Sequence, residues 1–106
     1  MKTFRISDFT GGWFLGNFSP SLLANDKFEV AVKWFKSGDV EPDHYQVVAF
    51  EYTVIIAGSC RIGDRLFGEG EIVQIDPGEV AGFEALSDGV LVAVKTPSIP
   101  QDKRLA

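Results

Sequence analysis

Three residues, His44, Gln46 and Glu51, have the types and spacing to do chemistry together. They lie in the run GDVEPDHYQVVAFEYTVIIAG, from Gly38 to Gly58, within eight positions of one another. An imidazole, an amide and a carboxylate so close in a β-rich stretch can converge on one small pocket. His44 could then act as a general acid or base oriented by Glu51, with Tyr45 or Tyr52 supplying a phenol. Strand alternation sets Tyr45 opposite His44 and Gln46, and Tyr52 opposite Glu51, so either tyrosine needs a bulge or a partner subunit to join. The plainer reading is a hydrogen-bonded His44–Glu51 pair inside the fold, because a buried carboxylate is costly without a partner. On the same reading Gln46 is an inert, half-exposed strand residue.

The elements that must position these side chains read as short strands. FEVAVKWF (Phe28–Phe35) alternates and is rich in valine and aromatics, and VVAFEYTVIIA (Val47–Ala57) is too β-branched to favour a helix. Further runs follow at Ser59–Ile62, Arg65–Phe67, Ile72–Ile75, Val80–Ala85 and Val90–Lys95. Gly63-Asp64 suits a tight hairpin with positive φ at its first residue, and Pro77-Gly78 suits a type II turn. Strands this short and regular predict an all-β domain, a sandwich or small β-barrel. Ser19–Asp26 is the one segment that suggests a turn or short helix, with Ser19 as its cap and Pro20 as its first residue. The expected organisation is one domain over 1–106, with an N-terminal arm (1–27), a barrel core (28–95) and an extended tail (96–106).

Composition narrows the function classes. At 106 residues the chain is one globular domain, and its formal charge of −5 repels phosphate backbones. No lysine or arginine cluster offsets that charge, so neither nucleic acid nor an anionic membrane is an expected partner. The single Cys60 makes no internal disulfide and reads as a small core residue. No apolar run is long enough to span a bilayer and the first residues lack a signal-peptide core, so a cytoplasmic location is expected. Glu29 and Lys33 share a strand face and could reach the pocket, although solvated faces carry such pairs routinely. Trp34 alternates with Val30 and Val32 and reads as core. Val90–Lys95 is apolar on both phases and Phe9–Phe18 is dense in aromatics, which together suggest a homodimer. Trp13 and Phe14 alternatively plug one end of the barrel.

The spacing of Gly38, His44, Gln46, Glu51 and Gly58 resembles the first motif of the cupin family: Gly, five residues, His-x-His, four residues, Glu, six residues, Gly. Gln46 stands at the second histidine. The family's second motif is matched from Gly70 through Asp76-Pro77-Gly78, with Ala81 where a histidine ligand belongs and Ala85 where asparagine does. The resemblance implies a cupin-type jelly-roll barrel, or double-stranded β-helix. It also implies a metal position at His44, Gln46 and Glu51 that has lost two of its four ligands. That position would be left with a weakly held Mn, Fe, Ni or Zn ion, or with no cofactor. Gln46, Ala81, Phe83 and Tyr52 are the residues expected to meet a ligand, with Ala81, Phe83 and Ala85 making one wall apolar. The expectation is a small-molecule-binding protein with a degraded metal site, linked by resemblance to carbohydrate metabolism. Two alternatives stand beside it. One is an isomerase, epimerase or dioxygenase using His44 and Glu51, and the other is a structural dimer whose pocket is a relic.

Overall fold

A computed structural model describes residues 1–106. Ten strands form: β1 (Trp13–Leu15), β2 (Glu29–Phe35), β3 (Val40–Gln46), β4 (Phe50–Ala57), β5 (Ser59–Ile62), β6 (Arg65–Gly68), β7 (Ile72–Ile75), β8 (Ala81–Ala85), β9 (Gly89–Thr96) and β10 (Lys103–Leu105). They make two antiparallel five-stranded sheets, in the orders β1-β2-β9-β4-β7 and β10-β3-β8-β5-β6. Most connections pass from one sheet to the other, which wraps the chain into the expected all-β jelly roll. No helix is long and apolar enough to cross a membrane.

Turn chemistry explains why the glycine spacing was informative. Gly38, Gly58, Gly70 and Gly78 all adopt positive φ, between +82° and +93°, a region that a Cβ disfavours. At Gly58 a Cβ would also lie 2.4 Å from the Asp88 carbonyl oxygen, so this turn requires glycine for space as well. The β5–β6 hairpin turns at Gly63, with φ +62°, as its sequence predicts.

Apolar side chains from both sheets close one end of the barrel. Phe35, Ile55, Cys60, Ala85, Leu91 and Ala93 form the buried cluster, and Trp13, Ile62, Phe67 and Phe83 pack against it. Phe35 and Phe83 meet edge to face across the two sheets, ring centres 5.4 Å apart. Cys60 is fully buried within this cluster, and burial pushes its thiol pKa up, with the Glu71 charge adding to the effect.

The fold differs from the sequence reading at several points. Ser19–Asp26 forms bends rather than a helix, and two 3-10 turns occur earlier, at Ile6–Asp8 and Thr10–Gly12. β3 is a strand despite the polar run Glu41-Pro42-Asp43, because its register with β8 breaks between Glu41 and His44 and accommodates the proline. Trp34 is 68% exposed rather than core. Its neighbours Ala31 and Phe35 are the buried phase of β2, which turns Val30, Val32 and Trp34 outward. The arm and the tail each contribute a strand, β1 against β2 and β10 against β3.

Asp102 fixes the tail. It is buried, and its carboxylate accepts the Val48 N–H at 3.0 Å and the Ala49 N–H at 2.9 Å, while its carbonyl accepts the Val47 N–H at 3.0 Å. The next residue, Lys103, therefore starts β10 directly opposite Gln46.

Candidate functional site

A cavity of about 280 Å³ opens between the two sheets above the apolar cluster. The register of each sheet determines what lines it. In the first sheet, Glu29, Lys95, Glu51 and Ile75 are cross-strand partners in one row, and Lys33, Leu91 and Ile55 in another. Between these rows Trp13 of β1 sits opposite Ala31. In the second sheet, His44 lies opposite Ala81, Glu41 opposite Phe83, and Gln46 opposite Lys103. The cavity wall accordingly includes His44, Gln46, Glu51, Ala81 and Phe83, as the sequence suggests. It also includes Lys33, Lys95, Lys103, Glu41 and Trp13.

Tyr52 does not line the cavity. It alternates with Glu51 and Thr53 on β4 and pairs with Val94 and Gln74, which places it on the outer face of the sheet. Nor do His44 and Glu51 form the expected hydrogen-bonded pair. Glu51 Oε1 lies 3.9 Å from Lys95 Nζ, and those two side chains are only 15% and 13% exposed. His44 Nδ1 lies 2.9 Å from the Pro42 carbonyl oxygen. A carbonyl only accepts, so Nδ1 is the donor in this contact, and in the neutral ring Nε2 is then the nitrogen with the lone pair.

Three ammonium groups thus share the cavity with the carboxylates of Glu41 and Glu51, while Asp39 and Glu79 stand exposed at its mouth. Lys103 donates to Glu41 Oε1, and Lys95 faces Glu51. Lys33 is in no salt bridge. Its Nζ lies 5.1 Å from the centre of the Trp13 ring, and Lys95 Nζ lies 5.0 Å from the same ring, so one aromatic ring attracts both cations. Burial lowers the Lys33 pKa. Glu41 opposes that shift, Lys95 and Lys103 add to it, and Glu51 opposes it more weakly. For Glu41, burial pushes the carboxyl up, but the Lys103 hydrogen bond and charge, with Lys33 and His44 behind them, hold it below its ordinary value.

Gln46 is 4% exposed, and its Nε2 is the only buried side-chain polar atom with no hydrogen-bond partner. Together with Lys95 and Lys103 it also borders a second cavity, about 260 Å³, on the side of the tail. An orphaned buried amide costs about 1–3 kcal/mol, which an acceptor brought within its reach by a side-chain movement would recover.

Neither a protein-family model nor a curated protein matches the sequence. Solved structures do match the fold. An uncharacterized conserved protein with a double-stranded β-helix domain from Klebsiella pneumoniae superimposes with TM-score 0.74 at 18% identity, covering 99% of this chain and 91% of that one. An RmlC-like cupin from Shewanella frigidimarina gives TM-score 0.64 at 15% identity over 72% of this chain and 71% of that one. The fold is that of a cupin. Oxalate decarboxylase from Bacillus subtilis also matches, with TM-score 0.64 and 21% identity over 76% of this chain, which spans only 24% of that larger protein.

Within this cupin fold the residues present do not fit the divalent metal that the family resemblance implies. No three His, Cys, Asp or Glu side chains converge, and Ala81 offers no donor. Such centres need at least three good ligands. Here one carboxylate of the set, Glu51, faces an ammonium group, and a third ammonium group in the same cavity would repel a dication.

Of the three cavity lysines the sequence singles out only Lys33, which shares a strand face with Glu29. Its phase was the available signal, since Lys33 alternates with Ala31 and Phe35 in an apolar strand. Lys95 ends the apolar run of β9, and only the register shows that it points inward opposite Glu29 and Glu51. For Lys103 the sequence carried no signal.

Proposed function

We propose that this cupin-fold protein binds a small organic carboxylate in its barrel cavity, without a metal ion. The observation that carries the reading is the unpartnered Gln46 Nε2, opposite Lys103 and in one cavity with Lys33 and Lys95. Three ammonium groups converge on the cavity beside Glu41 and Glu51, and one of them, Lys33, is in no salt bridge, in a chain whose net charge is −5. A carboxylate supplies an anion for the ammonium groups and an acceptor for Gln46. Glu41, Glu51 and the His44 Nε2 lone pair supply acceptors for ligand hydroxyls, which makes hydroxy acids and sugar acids good candidates and supports a link to carbohydrate metabolism.

The cavity lies just below the usual range for ligand pockets, about 300–1,000 Å³, and favours a compact ligand over a nucleotide-linked sugar. Oxalate decarboxylase, a protein of the same fold, acts by its name on a small carboxylate. A relic pocket explains the arrangement less well, because a desolvated cation and an orphan amide both lower stability when nothing binds them. The proposal places the protein in the cytoplasm, where a lone buried thiol such as Cys60 needs no partner. The proposed homodimer would use the outer face of the first sheet, where Val32, Val92, Val54 and Ile72 are cross-strand partners in one apolar row beside Trp34.

A melting-temperature screen with matched acids and neutral counterparts tests the reading. Glucuronate with glucose, and glycerate with glycerol, are suitable pairs. The acids are expected to raise the melting temperature and the neutral partners are not. Equal effects from both members, or stabilisation by a divalent ion that His44→Ala abolishes, would overturn it.

The His44 tautomer favours a second reading, a metal-free acid–base enzyme acting on the bound acid, since Nε2 is free to take a proton. Exchange of solvent deuterium into the α-carbon of a bound acid, lost in His44→Ala, would establish it, and its absence would leave binding alone.

A further inference from the structure

We infer that Lys33 is a covalent anchor, condensing as an amine with a carbonyl group of the bound carboxylate to form an imine. This rests on the carboxylate-binding reading above and names the ligand class more closely: a small acid that also carries an aldehyde or ketone, such as a 2-oxo acid.

The argument starts from what distinguishes the three cavity lysines. Lys103 is hydrogen-bonded to Glu41, and Lys95 faces Glu51 at 3.9 Å. Both stand beside carboxylates, in positions suited to binding an anion. Lys33 has no such partner and stands on the buried phase of β2, between Ala31 and Phe35 and opposite Leu91. It is therefore the amine that a carbonyl can approach without first breaking an ion pair. Burial and two neighbouring ammonium groups are the conditions that release a lysine from its proton and make it a nucleophile. Both conditions act on Lys33 and, burial foremost, outweigh the opposing charges of Glu41 and Glu51, so its pKa is lowered. The remaining lysines, Lys2, Lys27 and Lys36, are exposed and do not line the cavity.

The chemistry balances without an oxidant or reductant. The neutral Nζ of Lys33 attacks the carbonyl carbon, a C–N bond forms, and the C=O π pair moves to oxygen, which takes up a proton. The nitrogen then loses a proton, and the carbinolamine hydroxyl takes up another. It leaves as water while the nitrogen lone pair forms the C=N bond, and the protonated imine returns that proton. Glu41 and Glu51, which line the same cavity and whose charges both act on Lys33, are assigned the transfer of these protons. The orientation follows from charge. Lys95, Lys103 and the Gln46 amide hold the carboxylate, and the adjacent carbonyl is turned toward Lys33.

Pyruvate is the probe, in two measurements on the intact wild-type protein. Calorimetric titration without reductant reads binding. Incubation with cyanoborohydride followed by peptide mass spectrometry reads the reduced adduct and its position. The expected result is measurable binding and one adduct located at Lys33, with acetone, which lacks the carboxylate, labelling it at least tenfold less. Lys33→Arg is expected to remove the adduct. Binding without an adduct, or an adduct spread evenly over Lys2, Lys27 and Lys36, would overturn the imine while leaving carboxylate binding intact. If pyruvate, glucuronate and glycerate all fail to bind, the carboxylate reading itself falls.

Discussion

Asp102→Ala tests how the tail builds the site. The Asp102 carboxylate accepts the Val48 N–H at 3.0 and 3.2 Å and the Ala49 N–H at 2.9 Å, the last of these fully buried. Truncation leaves two backbone donors without that partner. A hydrogen bond to a charged group contributes about 1.5–3 kcal/mol, and the part-buried Val48 N–H recovers some of its loss from water, so the expected cost is about 3 kcal/mol. For a domain of this size that lowers the melting temperature by roughly 10–20 °C. The loss also has a direction. β10 is three residues long and begins at the next position, so it undocks from β3 and carries Lys103 away from Gln46 and Glu41. Lys103→Met provides the contrast. Its ion pair with Glu41 is about 40% exposed, and such pairs contribute about 0–1 kcal/mol. This variant should melt near wild type and lose affinity for glucuronate, whereas Asp102→Ala should lose both stability and affinity. Thermal melts followed by circular dichroism, with amide exchange at Val48 and Ala49, measure the two effects. An Asp102→Ala protein that melts with wild type and keeps those amides protected would refute the reasoning.

Other outcomes follow from the same contacts. Because the folded-state pKa of Lys33 lies below its ordinary 10.5, the charged form destabilises the native state at all pH values below the folded pKa. That penalty fades as pH rises toward 10.5, so Lys33→Met should melt higher than wild type at neutral pH, and the gap should close in alkali. A lower melt at every pH would contradict this. Glu41 has the opposite sign. Its folded pKa is depressed below 4.5, so its contribution is present above that value and is lost as pH falls through the folded pKa. Wild type should therefore exceed Glu41→Gln in stability near neutral pH, with the difference vanishing in acid melts. Trp34→Glu places a charge beside the apolar row Val32–Val92–Val54–Ile72 and should convert a light-scattering dimer to a monomer. A wild-type monomer at micromolar concentration would end the dimer proposal.

The sequence was most legible where turns restrict the backbone. Gly38, Gly58, Gly70 and Gly78 sit at positive φ, so their spacing set strand lengths and identified the barrel even where ligand residues were replaced. His44, Gln46, Glu51, Ala81 and Phe83 reached one cavity because alternation within a strand is a local property. Tyr52 did not, for the same local reason, and alternation had already set it opposite Glu51. Trp34 faces outward because strand phase outweighs its hydrophobicity. Counting from Ala31 and Phe35 would have turned it outward and Lys33 inward. What stayed hidden was non-local. The inward partners of Lys95 depend on the β2–β9–β4 register. The position of Lys103 depends on hydrogen bonds that Asp102 makes 53 and 54 residues away. The metal expectation came from motif spacing alone, which is silent about the three lysines that share the cavity.

The most direct test of carboxylate binding is the side-chain amide resonance of Gln46 in a proton–nitrogen NMR titration. With glucuronate, the Gln46 Nε2 protons should shift in a saturable way and gain protection from solvent exchange, while the amides of Gln74 and Gln101, which lie outside the central cavity, stay in place. Glucose at the same concentrations should leave Gln46 unmoved. A Gln46 amide that responds equally to glucose, or that responds to no carboxylate at all, would contradict the account.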